Sequence, residues 1–356
     1  MFKSSIIAGV SMLALASTAF AADAPRAMFT RGGPNWHAQV PGKPVLGGLA
    51  TYTLKWTYSG KSYSALFVGA DPKTGTSTTI PVYIVPVKLT VGTTTEDPTV
   101  PDYTGVSPVN NVIASPLFQN EDYTQNKVDV GNTQYEDAFQ RFNLWGKVKT
   151  HTSYHVLLGT PTVEPVQAYT VPKGDGTTGN EFGVNVLEVN FGWFDTQVNS
   201  LIKSLAIPAN SLPIFLVTQT YLTSGGCCIG GYHNYTGTQA YSVSTYISKS
   251  SGSLAFSQDV SALSHELGEF YDDPLVNNSN IPSLCSTQGN HNSIYEVGDP
   301  IEVDPNYGDY EYTLGGLVWH LQDLVMPTYF GAKASTSIPF NQSFQGTKFS
   351  VCQNGG

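Results

Sequence analysis

The most informative segment of this chain is Asp259-Val260-Ser261-Ala262-Leu263-Ser264-His265-Glu266-Leu267-Gly268-Glu269-Phe270-Tyr271. Its apolar side chains recur at positions 260, 263, 267 and 270, which is the spacing of one helix face. Ser257 or Asp259 can cap the first turn, and Pro274 follows the end. The segment therefore predicts an amphipathic helix that carries a histidine and two glutamates.

Three residues of this helix are suited to chemistry. At about 100° per residue, His265 and Glu269 project from the same side, and Glu266 points to the neighbouring side. This is the geometry of the His-Glu-x-x-His helix of zinc metallopeptidases, with Glu269 in place of the second histidine. Zinc accepts imidazole nitrogen and carboxylate oxygen, and a catalytic site keeps one position open for water. We therefore predict His265 and Glu269 as metal ligands and Glu266 as the catalytic base.

A second acidic group follows the helix, in the stretch from Tyr295 to Asp304. Sites of this kind take a further ligand from downstream, so we predict Glu296 or Asp299 as metal ligands, and the sequence does not choose between them. Asp304 and His291 are alternative ligands. Zinc is the expected cofactor. Calcium is the alternative, because carboxylates outnumber histidines in the cluster and Ca²⁺ prefers oxygen ligands.

Other polar side chains are weaker candidates for the site. His233 is expected to make a structural hydrogen bond, or to line the same cleft as a donor to substrate. Tyr232 or Tyr295 is a candidate donor to an oxyanion. The remaining histidines are expected in surface or core roles; they are His37, His151, His155 and His320.

The rest of the chain predicts an α+β fold: an N-terminal β-rich region, then a mixed sheet with a backing helix and the metal-binding helix. Alternation predicts strands, and helical spacing predicts helices. The strands are 51–58, 63–68, 80–91, 153–158, 182–189, 214–222 and 240–247, the helices are 133–145 and 193–205, and 94–123 is a loop or crossover. The order helix, strand, strand, motif helix resembles the zincin metallopeptidases. We divide the chain into residues 1–21, 22–100 and 101–356.

Residues 1–21 have the layout of a signal peptide. Lys3 precedes an apolar run from Ile6 to Leu15, and the small residue Ala21 ends the segment before Ala22. We expect cleavage there and a secreted or periplasmic protein that is not embedded in a membrane, since no later stretch is long and apolar enough to span one. The formal net charge of -10 argues against binding nucleic acid.

The chain has four cysteines, Cys227, Cys228, Cys285 and Cys352. An even number in an exported protein predicts disulfides. A bond between adjacent cysteines is geometrically awkward, so we predict bridges from the doublet to Cys285 and Cys352. A cysteine-rich zinc site is the alternative, although the chain has no Cys-x-x-Cys pair.

Three motifs resemble the plant EXORDIUM or phosphate-induced protein family and its bacterial relatives. They are His265 to Glu269, then Asp273-Pro274-Leu275-Val276-Asn277, then Glu296-Val297-Gly298-Asp299, where the family has HE[IL]AE, NPLVN and EIAD. Upstream, Cys228 with Gly231-Tyr232-His233 resembles its Cys-Gly-aromatic-His element. The match runs from about Cys227 to Gly308. Gly268 replaces the family alanine, and Pro300-Ile301 stands where a cysteine is usual.

The resemblance implies an exported protein, associated with growth at the cell wall in the plant members, but it implies no established reaction. It points to the same residues: His265, Glu266, Glu269, Glu296 and Asp299. We therefore expect a secreted zinc-dependent hydrolase, foremost a peptidase, acting on an extracellular peptide, protein or cell-wall substrate. The alternative is a non-catalytic extracellular or wall-associated protein with a structural metal. The oligomeric state is left open.

Overall fold

The computed structural model describes residues 46–125, 128–248, 257–278, 281, 284–285, 291–292, 296–302, 308–326, 341–344 and 348–349. Several predictions fall outside these residues: the signal peptide, His37, Tyr295, Asp304 and Cys352. The side chains of Cys285 and His291 also lie outside what is described.

The described residues form a strand-rich α+β structure with few helices, which confirms the predicted class. The helices are α1 (Pro108–Ala114), α2 (Tyr135–Asn143), α3 (Trp145–Val148), α4 (Phe191–Ser204), α5 (Ser261–Asp272) and α6 (Asp299–Glu302). The strands are β1 (Thr51–Tyr58), β2 (Lys61–Val68), β3 (Thr78–Ile80), β4 (Val82–Val91), β5 (Thr94–Glu96), β6 (Glu121–Gln125), β7 (Val128–Thr133), β8 (Val156–Leu158), β9 (Thr162–Val163), β10 (Gln167–Thr170), β11 (Gly176–Glu181), β12 (Val184–Asn190), β13 (Leu212–Thr218), β14 (Thr220–Thr223), β15 (Gly231–Thr236), β16 (Gln239–Tyr246), β17 (Leu284–Cys285), β18 (His291–Asn292), β19 (Asp309–Leu314), β20 (Leu317–Gln322), β21 (Val325–Met326), β22 (Asn341–Ser343) and β23 (Lys348–Phe349).

The largest sheet has the strand order β10-β4-β13-β16-β15, with β5 and β9 also paired to β4. Strands β10, β4, β13 and β16 are mutually parallel, and β15 runs antiparallel to β16 at the end of this order. Strand β4 comes from the predicted N-terminal region and β13 from the second, so residues on both sides of the predicted boundary near 100 build one sheet.

Helices cover both faces of this sheet. Every residue of β13 is buried. Its side chains alternate: Ile214 and Leu216 belong to the core that includes α2 and α5, and Phe215 and Val217 belong to the core that includes α4. A continuous apolar run of this kind is typical of a parallel strand that is covered on both sides.

Two predictions about local structure are wrong in detail. The predicted loop 94–123 contains β5 and α1, and α1 begins where the Ser107 side chain accepts a hydrogen bond from the Asn110 amide with Pro108 in the first turn. The predicted strand 214–222 is divided into β13 and β14, because Gln219 adopts a φ of 47° and breaks the extended backbone. No helix among the described residues is long and apolar enough to cross a membrane.

The cysteine doublet is bonded to itself. Cys227 and Cys228 form a disulfide with their Cα atoms 3.1 Å apart, and the peptide bond between them is cis. The predicted bridges from this doublet to Cys285 and Cys352 are wrong, because both sulfurs of the doublet already have a partner.

Candidate metal centre

Helix α5 is enclosed by other described elements. All of its residues are buried, and it packs against β15, β16, β20, β2 and α2. The helix begins after Val260, which makes no side-chain capping bond, so the predicted caps Ser257 and Asp259 are wrong. The Asp259 carboxylate instead accepts hydrogen bonds from the Val260 amide and from the amide and Nδ1 of His320.

The pair predicted on one side of α5 does meet. His265 Nε2 lies 3.1 Å from Glu269 Oε1, and both side chains are buried. The i, i+4 spacing brings them together because side chains one turn apart are neighbours on a helix surface.

Both predicted downstream acids reach this pair. Asp299 Oδ1 lies 3.6 Å from His265 Nε2, and the amides of Gly298 and Asp299 donate to Glu269 Oε1 at 3.1 and 3.3 Å. Glu296 is fully buried and lies with Glu269 and His233. Glu296 and Asp299 are therefore both candidate ligands, because each lies in a group of possible metal ligands that also contains Glu269.

His233 enters the cluster from the edge strand β15. Its Nδ1 lies 3.1 Å from Glu266 Oε2 and 3.7 Å from Glu269 Oε2, and its Nε2 lies 3.1 Å from the Asp273 carbonyl oxygen. The sequence favoured a structural hydrogen bond for His233, and the structure adds a candidate ligand. The signal in the sequence was the element formed by Cys228 and Gly231-Tyr232-His233. Only the pairing of β15 with β16 turns the His233 side chain toward α5.

Tyr232 points the other way. Alternation along β15 places it in the core on the α4 side of the sheet, where its hydroxyl donates to Asp195 Oδ1 at 2.9 Å. Tyr232 is therefore not available as an oxyanion donor in this cluster.

Two glycines allow the close packing around the cluster. A Cβ atom on Gly298 would lie 2.4 Å from His265 Nδ1 and 2.5 Å from its Cε1. A Cβ atom on Gly231 would lie 3.0 Å from Glu266 Cγ. Glycine is thus needed at 298 for the turn before α6 to lie against the imidazole ring.

No protein-family model, curated protein or solved structure matches this chain. The EXORDIUM resemblance therefore depends on the short motifs quoted above, and conclusions about the site depend on its geometry.

The carboxylates of the cluster are held in a strongly desolvated setting. Burial raises the pKa values of Glu266, Glu269 and Glu296 well above 4.5, and His265 opposes the rise at Glu266. The ion pairs described for Glu266 and Glu269 are all with histidine. Glu266 Oε1 is buried and has no hydrogen-bond partner among the described residues. Imidazole and carboxylate donors that converge with a spare buried oxygen fit a divalent transition-metal ion.

Proposed function

We propose that this protein is a metal-dependent hydrolase, foremost a peptidase, whose centre is built on α5. One observation carries the proposal: His265 Nε2, an oxygen of Glu269 and an oxygen of Asp299 lie within 4.8 Å of one another. Glu266 follows His265 directly on α5. His265, Glu269 and Asp299 are the residues that would hold the metal, and zinc suits the mixture of one nitrogen and two oxygen donors.

Glu266 is suited to move the proton. A bound zinc ion lowers the pKa of a water molecule and polarises a substrate carbonyl. Glu266 takes the proton from the attacking water and delivers it to the leaving group. Its Oε2 lies 3.1 Å from His233 Nδ1, whereas its Oε1 has no partner among the described residues, so Oε1 is the oxygen that accepts this proton.

Asp299 indicates the side from which a substrate approaches. Its side chain is 19 % exposed, whereas those of His265, Glu269, Glu266 and His233 are exposed by no more than 1 %. The signal-like sequence of residues 1–21 supports an extracellular or periplasmic substrate, which we propose to be a peptide, a protein or a cell-wall polymer.

A second function is favoured by the burial of the cluster. A metal enclosed by carboxylates and almost shielded from solvent is also what a structural site requires, and calcium would suit the oxygen donors. In that case the protein is a non-catalytic extracellular or wall-associated protein.

The variant Glu266→Gln separates these functions. The purified protein is analysed for metal by mass spectrometry and assayed on fluorescent casein and on peptide mixtures. We expect bound zinc in both proteins and a loss of at least ~100-fold in hydrolysis for the variant, in the range of general acid-base catalysis. The matched control is Glu136→Gln, a fully buried carboxyl on α2 that lies outside the ligand groups, and it should retain both properties.

Two results would contradict the proposal. Full turnover by Glu266→Gln would remove the assigned base. Tightly bound calcium, with no hydrolysis by the unmodified protein and a fall in melting temperature on chelation, would establish the structural function instead.

A further inference from the structure

The two oxygens of Glu269 face different ligand groups. Oε1 lies 3.1 Å from His265 Nε2, and this group also contains Asp299. Oε2 lies 3.7 Å from His233 Nδ1, and this second group also contains Glu296. Within each group the ligand atoms lie within 4.8 Å of one another, and the groups share Glu269 alone. One carboxylate with an oxygen in each group has the geometry of a bridging ligand.

The hydrogen bonds of His233 leave a lone pair directed at the second group. Its Nε2 lies 3.1 Å from the Asp273 carbonyl oxygen, which can only accept, so Nε2 carries the hydrogen. In the neutral ring Nδ1 is then unprotonated, and it faces Glu266 Oε2 and Glu269 Oε2. A cation placed between this lone pair and the two carboxylates would contact all three groups. A metal-binding histidine commonly donates its other N–H to a backbone carbonyl in this way.

Two divalent cations would balance the charge of the cluster in its fully ionised form. Glu266, Glu269, Glu296 and Asp299 carry a formal charge of -4 when ionised, and the first three are buried. One divalent cation leaves -2 with two neutral imidazoles, and two divalent cations leave none. Uncompensated buried charge is among the most costly features a fold can contain.

We propose that the centre holds two divalent cations bridged by Glu269, one bound by His265 and Asp299 and the other by His233 and Glu296. This rests on the proposed hydrolase and narrows it. Two-metal sites have their ions about 3.5 to 4 Å apart and would stabilise both the attacking water oxygen and the leaving group of the substrate. Aminopeptidases are among the enzymes with such sites, so the substrate class that agrees with the proposed peptidase is the amino-terminal end of a peptide. Manganese and zinc both suit this carboxylate-rich set of ligands.

The test counts the cations and asks whether they interact. The purified full chain is stripped with a chelator and titrated with Mn²⁺, the number of ions per chain is measured by calorimetry, and the loaded protein is examined by electron paramagnetic resonance. We expect two ions per chain with an exchange-coupled spectrum. Glu296→Gln and Asp299→Asn should each bind one ion and lose the coupling, and the control Glu136→Gln should match the unmodified protein.

Circular dichroism shows whether Glu296→Gln is folded. If it is not, His233→Gln replaces it as the variant of the second group, and His233→Gln should also bind one ion. One ion per chain in the unmodified protein, or two without coupling, overturns the bridged pair. If the bridged pair is overturned but hydrolysis still depends on Glu266, the proposed hydrolase function stands without the second cation. Absence of bound metal, with hydrolysis indifferent to Glu266→Gln, overturns both.

Discussion

Replacing Gly298 by alanine should weaken metal binding by displacing the His265 ring. The new Cβ would lie 2.4 Å from Nδ1, 2.5 Å from Cε1 and 2.8 Å from Cγ of that ring. Non-bonded carbon atoms settle at about 3.5 to 4.0 Å, so ring and turn must separate by roughly 1 Å. The turn cannot simply withdraw, because the Gly298 amide also donates to Glu269 Oε1.

The expected magnitude follows from this displacement. Loss of correct support for a metal-binding histidine typically costs 10- to 100-fold in affinity, which corresponds to about 1.4 to 2.7 kcal/mol. Calorimetric titration with Zn²⁺ in the presence of a competing chelator measures the change, and circular dichroism confirms that the variant is folded.

Gly226→Ala is the matched control. A Cβ atom there would meet nothing within 4 Å, so its affinity should equal that of the unmodified protein. If folded Gly298→Ala also binds zinc with unchanged affinity, His265 is not a ligand and the reasoning is refuted. An equal loss in both variants would show that the ring displacement is not the cause.

Three further predictions concern stability. Gly268→Ala should gain up to ~1 kcal/mol of helix propensity, but it places a Cβ atom 2.5 Å from Leu324 Cδ1, and such overpacking costs about 1 to 3 kcal/mol. Urea denaturation should therefore show that the unfolding free energy falls by about 1 kcal/mol. A variant that is more stable than the unmodified protein contradicts this prediction. Burial lowers the pKa of His320, but the hydrogen bond to Asp259 and nearby acids outweigh it and raise the pKa above 6.5. This stabilisation is present below about pH 6.5 and is lost as the pH rises through the folded-state pKa, so His320→Gln should lower the melting temperature more near pH 6 than near pH 8.5, and equal losses would refute the assignment. Tyr232→Phe removes a buried hydrogen bond to a carboxylate and should cost about 1.5 to 3 kcal/mol of unfolding free energy with metal affinity and hydrolysis unchanged; a selective loss of hydrolysis would place this hydroxyl in the site.

Features that depend on neighbours along the chain could be predicted from the amino-acid sequence. Helical periodicity located α5 to within two residues at its start and placed His265 and Glu269 on one side of it. Alternation located β1 in full, and a strand was predicted at 214–222, where the structure has β13 followed by β14. These features could be predicted because side-chain direction repeats with the period of a single element.

The three-dimensional fold alone decided which distant residues join that helix. His233 reaches Glu266 because β15 pairs with β16 and turns alternate residues toward α5. The turn before α6 packs against the imidazole because Gly298 has no side chain. Cys227 and Cys228 form a disulfide with each other. The prediction from usual Cα separations had favoured distant partners. These outcomes depend on strand register and on where a loop returns in space, and neither is encoded in the spacing of residues along the chain.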